Sequence, residues 1–305
     1  MVAFDGIEKT VGNTPLLKLS KIGKKLGLRA DIYAKLEYFN PAGSVKDRVA
    51  AAMLADAEGR GILKKGGCVI EPTSGNTGVA LAAMCAAKGY KCVVVMPENM
   101  SEERKKLISA YGAELVLTQK NLGMAGAIAR ADSLKSAIPN AVILGQFTNP
   151  ANAAAHFNGT APEIWRDICG AIDIFVAGVG TGGTLAGCSR YFKSRRADIA
   201  VYAVEPSNSA VLSGGKADLH GIQGIGAGFI PELLVNAAYD GVCAVSDKDA
   251  CDAAMLLRYT EGAFAGISSG ANLHAAIALA KDERFFGKNI VTVFPDGGER
   301  YLSLI

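Results

Sequence analysis

The sequence predicts an α/β fold in which mostly parallel sheets are covered by helices. Three observations predict it. Short apolar runs rich in valine and isoleucine alternate with alanine-rich segments along the 305 residues, and such alternation builds parallel βαβ units with buried strands. Many of the 36 glycines stand where a predicted strand gives way to a helix. The length suits two domains at about 150 residues each, and an apolar content of 50% is enough for a substantial core.

The first half of the chain alternates strands with helices. The predicted strands cover 16–19, 31–37, 68–71, 91–96, 114–118 and 141–144. The predicted helices run from Ser44 to 58, from the turn 73–78 to 88, from Ser101 onward and over 124–137. Glycines 59 and 61 end the first of these helices, as glycine commonly does.

A second series of the same kind follows a polar junction at 146–152, which leads into a predicted helix reaching 168. The later strands are predicted at 172–177, 199–204, 242–246 and 290–294, and the later helices at 184–195, 247–261 and 272–282. We expect the boundary between the two halves near the polar junction.

Composition excludes several classes of protein. A net charge of +3 with scattered basic pairs argues against nucleic acid as a partner. The seven cysteines form no Cys-x-x-Cys pair and the three histidines are isolated, so we expect free thiols in a reducing, cytoplasmic setting and no metal site. Asp5 and Glu8 exclude a secretory signal, and no apolar stretch reaches the ~18 residues of a membrane span.

A lysine stands at the start of the first long helix, in Asn40-Pro41-Ala42-Gly43-Ser44-Val45-Lys46-Asp47-Arg48. Ser44 is suited to cap this helix, which places Lys46 in the first turn. There the helix dipole disfavours an ammonium, and a lysine that loses its proton readily is a better nucleophile and base. Most lysines simply extend over the surface, so this turn alone leaves both interpretations open.

Two further turns offer anion-binding groups at helix N-termini. Thr73-Ser74-Gly75-Asn76-Thr77-Gly78 has more polar positions than a helix cap needs, which favours a carboxylate or phosphate site. Gly178-Val179-Gly180-Thr181-Gly182-Gly183-Thr184 suits a phosphate monoester. The latter also fits the dinucleotide pattern G-x-G-x-x-G, with Glu205 lying 22 residues after Gly183. The local pattern leaves these two interpretations of the glycine turn open.

The turn 266–270, which contains Ser268 and Ser269, and the junction at 146–152, which begins with Gln146, are ordinary polar turns when taken alone. Together, the four turns and Lys46 match the needs of pyridoxal phosphate. That cofactor requires a lysine, a phosphate site, a seat for the substrate carboxylate and a partner for its ring nitrogen. A nicotinamide cofactor would use the glycine turn and leave the other three without a role.

Six segments support this interpretation in a fixed order from near residue 7 to the C-terminus, namely 12–16, 41–48, 73–78, 180–184, 266–270 and 295–301. In sequence and order they resemble the cysteine synthase (O-acetylserine sulfhydrylase) family of fold-type II pyridoxal-phosphate enzymes. The resemblance implies a two-domain fold like that of the tryptophan synthase β-subunit, with the active site in the interdomain cleft. A smaller, mobile domain at 40–148 would carry the substrate loop, and a larger one at 1–39 plus 149–305 the phosphate cradle.

The resemblance also implies roles for individual residues. Lys46 resembles the Schiff-base lysine and the base that takes the substrate α-proton. Asn76 is similar to the residue that binds the cofactor ring oxygen, and Ser268 to the partner of the pyridine nitrogen. The loop formed by Thr73, Ser74, Gly75 and Thr77 would hold the substrate carboxylate together with Gln146. The phosphate cradle would be Gly180, Thr181, Gly182, Gly183 and Thr184.

The reaction that the resemblance implies is β-replacement, in which O-acetylserine and sulfide give L-cysteine and acetate. A homodimer is implied, as is docking of the C-terminal tail of serine acetyltransferase. This chain has Asp296 and Gly297 where the family tail usually carries serine, a departure expected to affect acceptor preference rather than the groups around the cofactor. The same lysine motif occurs in relatives, so a cystathionine β-synthase-like or S-sulfocysteine synthase-like reaction stays open. A nicotinamide oxidoreductase and a non-catalytic binding protein are the more distant alternatives.

Overall fold

Strands and helices alternate along residues 3–304, the part of the chain that the computed structural model describes. The strands are β1 Leu16–Lys18, β2 Asp31–Leu36, β3 Cys68–Pro72, β4 Lys91–Pro97, β5 Glu114–Thr118, β6 Ala141–Ile143, β7 Ile174–Gly178, β8 Ala200–Pro206, β9 Gly241–Val245 and β10 Asn289–Phe294. The α-helices are α1 Ser20–Leu26, α2 Lys46–Gly59, α3 Asn76–Lys88, α4 Glu102–Ala110, α5 Gly123–Ala137, α6 Pro150–Ala155, α7 Ala161–Asp167, α8 Gly183–Arg195, α9 Asp247–Glu261 and α10 Ile267–Ala280.

These strands form two sheets. The larger sheet has the order β1-β2-β10-β7-β8-β9, and the smaller has the order β5-β4-β3-β6. Every pairing is parallel except that of β1 with β2. The prediction of mostly parallel sheets is therefore confirmed. None of the helices within residues 3–304 is long and apolar enough to cross a membrane.

Helices cover both faces of the smaller sheet, which explains its continuous apolar strands. Val69 of β3 packs into the core with α2 and α3, whereas the next residue, Ile70, packs against α5. Successive side chains of a strand point to opposite faces, so both must be apolar when both faces are covered. The larger sheet repeats this arrangement, because Ile290 and Val291 of β10 belong to the cores on its two faces.

The predicted bounds of the helix after the polar junction are wrong. It begins earlier, at Pro150, because the Asn149 side chain accepts the Ala151 N–H at 2.9 Å and caps it. It is also interrupted by a π-helical turn, His156–Thr160, before α7 resumes. Pro162 in the first turn of α7 has no N–H to donate, which breaks the regular hydrogen-bond ladder at this point.

The smaller sheet uses only residues between 68 and 143, and the larger uses strands before 37 and after 173. This distribution is compatible with the predicted division of the chain. The boundaries at 40 and 148, and the mobility of the smaller part, stay predictions.

Candidate active site

One cleft of about 410 Å³ is lined by loops that follow strands of both sheets. Parallel α/β sheets place their ligand sites at the carboxyl ends of their strands, so loops of this kind are expected to gather there. All the residues that the sequence predicts for the site line this cleft: Lys46, Thr73, Ser74, Gly75, Asn76, Thr77, Gln146, Gly180, Thr181, Gly182, Gly183, Thr184 and Ser268. Their roles stay predictions, but the structure brings them together.

Lys46 is the first residue of α2 and faces the cleft. Burial lowers its pKa from 10.5 to about 8, opposed by the nearby charge of Asp296. Loss of hydration is thus the first cause of the lowered pKa, rather than the helix dipole that the sequence suggests. The N-cap position is Val45, so the prediction of Ser44 as the cap is wrong by one residue. The Ser44 hydroxyl still accepts the Lys46 backbone N–H at 3.2 Å.

The predicted carboxylate loop lies between β3 and α3, where it is held by its own hydroxyl groups. The Thr73 hydroxyl accepts the Gly75 N–H at 3.1 Å, and the Thr77 hydroxyl donates to Gln146 Oε1 at 2.6 Å. Ser74 is exposed to the cleft. Behind the loop, a Cβ on Gly75 would lie 2.7 Å from Arg104 Cδ, so glycine allows the loop to pack against that side chain.

Both ends of the Asn76 side-chain amide are hydrogen-bonded. Its Nδ2 donates to Asp296 Oδ2 at 2.6 Å, and Arg300 Nη1 donates to its Oδ1 at 2.7 Å. Asp296 is almost fully buried and also accepts the Tyr301 hydroxyl at 2.6 Å. Asp296, which stands where the family tail usually has serine, is expected from the sequence not to affect the groups around the cofactor. That expectation is wrong, since Asp296 contacts Asn76 directly.

Neutralising Asp296 tests its electrostatic effect on Lys46. The carboxylate raises the pKa of Lys46 against the effect of burial, so in Asp296→Asn we expect that pKa to fall below its present value. The measurement is the pH dependence of Lys46 labelling by an amine-specific reagent in the cofactor-free protein, followed by mass spectrometry. Asp56→Asn on the same helix is the matched control and should leave the labelling profile unchanged. An unchanged profile in Asp296→Asn contradicts the prediction.

The glycine turn between β7 and α8 brings bare backbone to the cleft. A Cβ on Gly180 would lie 2.4 Å from Gly224 O, and one on Gly183 would lie 1.9 Å from Asn152 Oδ1. Gly182 has a φ of +81°, a conformation that favours glycine. The unpaired N–H groups of the first turn of α8 therefore reach the cleft without side chains over them. They are donors suited to a phosphate, which only accepts hydrogen bonds.

Two threonines add hydroxyls to this turn. Asn152 Nδ2 lies 3.0 Å from Thr181 Oγ1, and His156 Nε2 lies 3.2 Å from Thr184 Oγ1. His156 is fully buried, and burial holds its pKa well below 6.5, so the ring is neutral near pH 7. Neither Asn152 nor His156 is predicted as a site residue. Asn152 lies within the polar junction, which is the signal that could have identified it.

Ser268 lies in a helix rather than in a loop. Helix α10 begins at Ile267, directly after Gly266, so the prediction of a turn over 266–270 and a helix from 272 is wrong. Ser268 is 2% exposed and lies in the first turn of α10. A hydroxyl in this position is electrically neutral, as the predicted partner of the ring nitrogen requires.

The dinucleotide interpretation needs the Glu205 carboxylate to be free for a ribose, but the carboxylate is already hydrogen-bonded within its own loop. Its carboxylate accepts the backbone N–H groups of Leu212 at 2.7 Å and Ser213 at 3.1 Å. It is 2% exposed and organises its own loop, which disfavours a role in ribose binding.

Comparison with known proteins shows the family of the chain. The family model described as "Pyridoxal-phosphate dependent enzyme" matches residues 7–296. Cysteine synthase A of Escherichia coli K12 is 48% identical, over 98% of this chain and 94% of its own. The crystal structure of cysteine synthase from Entamoeba histolytica is 42% identical with a TM-score of 0.95, over 99% of this chain and 90% of that one. The crystal structure of an O-ureido-L-serine synthase is 41% identical with a TM-score of 0.95, over 100% of this chain and 95% of that one.

The chain therefore belongs to the pyridoxal-phosphate-dependent enzymes, and its fold is fold-type II. Its cofactor is pyridoxal phosphate. Within that family it groups with the cysteine synthases. The glycine turn fits the cofactor phosphate, because a Cβ at 180 or 183 would collide with Gly224 O or Asn152 Oδ1, so only glycine lets the backbone of the turn lie at the cleft.

Proposed function

We propose that the protein converts O-acetyl-L-serine and sulfide into L-cysteine and acetate. The observation that carries the proposal is the cleft itself, where Lys46 with its lowered pKa shares one space with the carboxylate loop and the glycine turn. The near full-length similarity to cysteine synthases supports it.

We propose the following roles for the residues of the cleft. Pyridoxal phosphate supplies the electron sink for charge that develops at the substrate α-carbon. Lys46 Nζ, neutral in an appreciable fraction with a pKa of about 8, accepts the α-proton. The carboxylate loop and Gln146 bind the substrate carboxylate, while Ser268 binds the ring nitrogen and Asn76 the ring oxygen. Gly180, Thr181, Gly182, Gly183 and Thr184 bind the cofactor phosphate.

The reaction balances without another reactant. The bond from the β-carbon to the ester oxygen breaks, acetate leaves with the electron pair, and the sulfur of hydrogen sulfide ion forms the new bond to that carbon. The proton taken from the α-carbon is returned to it. A neutral serine partner leaves the cofactor ring a weaker electron sink than a carboxylate would, which favours rapid elimination of acetate. Closure of residues 40–148 over the substrate would exclude water during these steps.

A spectroscopic and product assay tests the proposal. The purified, cofactor-supplied protein is expected to be yellow, to change its visible band on addition of O-acetylserine, and to release cysteine when sulfide is added. Absence of the band change together with absence of cysteine would overturn the proposal.

A related β-replacement is the second candidate function. The similarity to an O-ureido-L-serine synthase supports it, as does the contact of Asp296 with Asn76. A panel of thiols and other nucleophiles, each supplied with O-acetylserine, distinguishes the two, since cysteine formation should be the fastest if sulfide is the natural acceptor.

For partners and location, we propose a cytoplasmic homodimer. The cleft mouth has the exposed side chains of Leu219 and Phe229, which would contact the C-terminal tail of a serine acetyltransferase. Light scattering tests the dimer, and titration with a tail peptide tests the docking.

A further inference from the structure

We propose that Asn152 is a positioning residue that links the substrate-carboxylate seat to the phosphate cradle. The assignment goes beyond the proposed function but rests on the roles given there to Gln146 and Thr181. Asn152 lies in α6 and is 0% exposed. Its amide touches one residue from each of the two subsites.

The amide nitrogen of Asn152 makes two hydrogen bonds. Nδ2 donates to the backbone carbonyl of Gln146 at 2.8 Å and to the hydroxyl of Thr181 at 3.0 Å. The first acceptor fixes the orientation of the amide, because a carbonyl oxygen cannot donate and would repel Oδ1 in a flipped amide. Both hydrogens of the NH₂ group are therefore used in joining the two subsites.

The bond to Thr181 determines which way that hydroxyl points its proton. Since Thr181 Oγ1 accepts from Asn152, its own O–H remains available to donate. A phosphate has acceptors only, so the cradle needs a donor at this position.

The neighbours of Gln146 likewise leave its side chain with a free hydrogen-bond donor. Its Oε1 accepts from Thr77 at 2.6 Å, and its Nε2 donates to Pro72 O at 3.2 Å. One N–H of Nε2 is left over, and a substrate carboxylate also has acceptors only. The Gln146 backbone is held by Glu71, which accepts its N–H at 2.9 Å, and by Asn152, which donates to its carbonyl. Loss of the Asn152 side chain would remove one of the two hydrogen bonds that hold the Gln146 backbone.

The other end of the Asn152 amide supports this placement. Oδ1 is buried and has no hydrogen-bond partner among the described residues. A Cβ on Gly183 would lie 1.9 Å from it, so the carbonyl dipole is directed at the first turn of α8. The positive end of the helix dipole favours an oxygen in that place.

The test compares Asn152→Ala with Asn149→Ala in the cofactor-loaded protein. Asn149 is the same residue type only three positions away, but its side chain caps α6 and donates to Leu144 O at 2.9 Å, and among the described residues it makes no side-chain hydrogen bond to either subsite. We measure the dissociation constants of pyridoxal phosphate by equilibrium dialysis and of propionate by ligand-observed NMR, together with KM and kcat for O-acetylserine. Propionate reports on the carboxylate seat without requiring turnover.

We expect Asn152→Ala to raise both dissociation constants and KM by about 3- to 10-fold each, the loss of one hydrogen bond per subsite, with kcat changed less than KM. Asn149→Ala should lower the melting temperature and leave all three constants unchanged. Equal constants in Asn152→Ala and the wild type would overturn the proposal, and so would equal rises in both variants. If Asn152→Ala does not fold, Asn152→Ser, which keeps one donor, decides by the same comparison. Failure of the wild type to form cysteine would instead overturn the proposed function.

Discussion

Replacement of Lys46 by alanine is expected to lower kcat for cysteine formation by at least about 10³-fold, in keeping with the loss of a positioned base that is also a nucleophile. The protein is expected to fold, because Lys46 lies at the first position of α2, where alanine is a favourable residue. The measurement is steady-state turnover with O-acetylserine and sulfide, beside circular dichroism and a melting curve. Phosphate-site binding of the cofactor should persist at reduced affinity.

The control is Lys64→Ala, which removes an exposed lysine and should match the wild type in turnover. A large loss in Lys46→Ala with an unchanged fold shows that the reaction depends on that side chain as base, nucleophile or both. Retention of more than about a tenth of the activity would remove Lys46 from its role, because a single general base alone contributes 10²- to 10⁴-fold.

The fold was predictable where its signals are local. Apolar strands, alanine-rich helices and glycines at their ends set most elements within a few residues of their observed bounds. Helix α1 was not predicted, and the reason is tertiary. It has only seven residues with a glycine among them, too few to be stable alone. It depends instead on the burial of Ile22 and on the Glu261 carboxylate, which accepts the Ile22 N–H at 2.8 Å.

The candidate site was likewise predictable where its residues lie close together in the sequence. Lys46 and the two polar turns carry their chemistry within a few adjacent residues, so their motifs are visible in the sequence. Asp296 is visible in the sequence only as a departure from the family tail. Its contact with Asn76 spans 220 positions, so the sequence gives no local signal of that partner.

Gly183→Ala is expected to raise the dissociation constant of pyridoxal phosphate by about 10- to 100-fold, which corresponds to the ~1–3 kcal/mol cost of overpacking a closed site. The added Cβ would lie 1.9 Å from Asn152 Oδ1. Asn152 is fully buried and hydrogen-bonded on its nitrogen side, so α8 must shift instead and carry its N–H groups away from the phosphate. Equilibrium dialysis and the visible absorbance of the bound cofactor measure the effect.

The matched control is Gly23→Ala in α1, where a Cβ would meet nothing within 4 Å. It should leave cofactor affinity unchanged and raise the free energy of unfolding in urea by about 0.5–1 kcal/mol, because alanine favours a helix over glycine. Wild-type cofactor affinity in Gly183→Ala would contradict the prediction.

Gly183 is the informative position because its φ lies outside the left-handed region, whereas that of Gly182 is +81°. Alanine at 182 would be strained whatever surrounds it, and a loss of affinity there could not be attributed to the cradle. Alanine at 183 keeps an allowed backbone, so any loss must come from the contact with Asn152. Adding Asn152→Ala to Gly183→Ala removes that contact, and we expect the double variant to bind the cofactor no more weakly than Asn152→Ala alone. A double variant as weak as the product of the two single effects would show instead that Gly183 acts independently of Asn152.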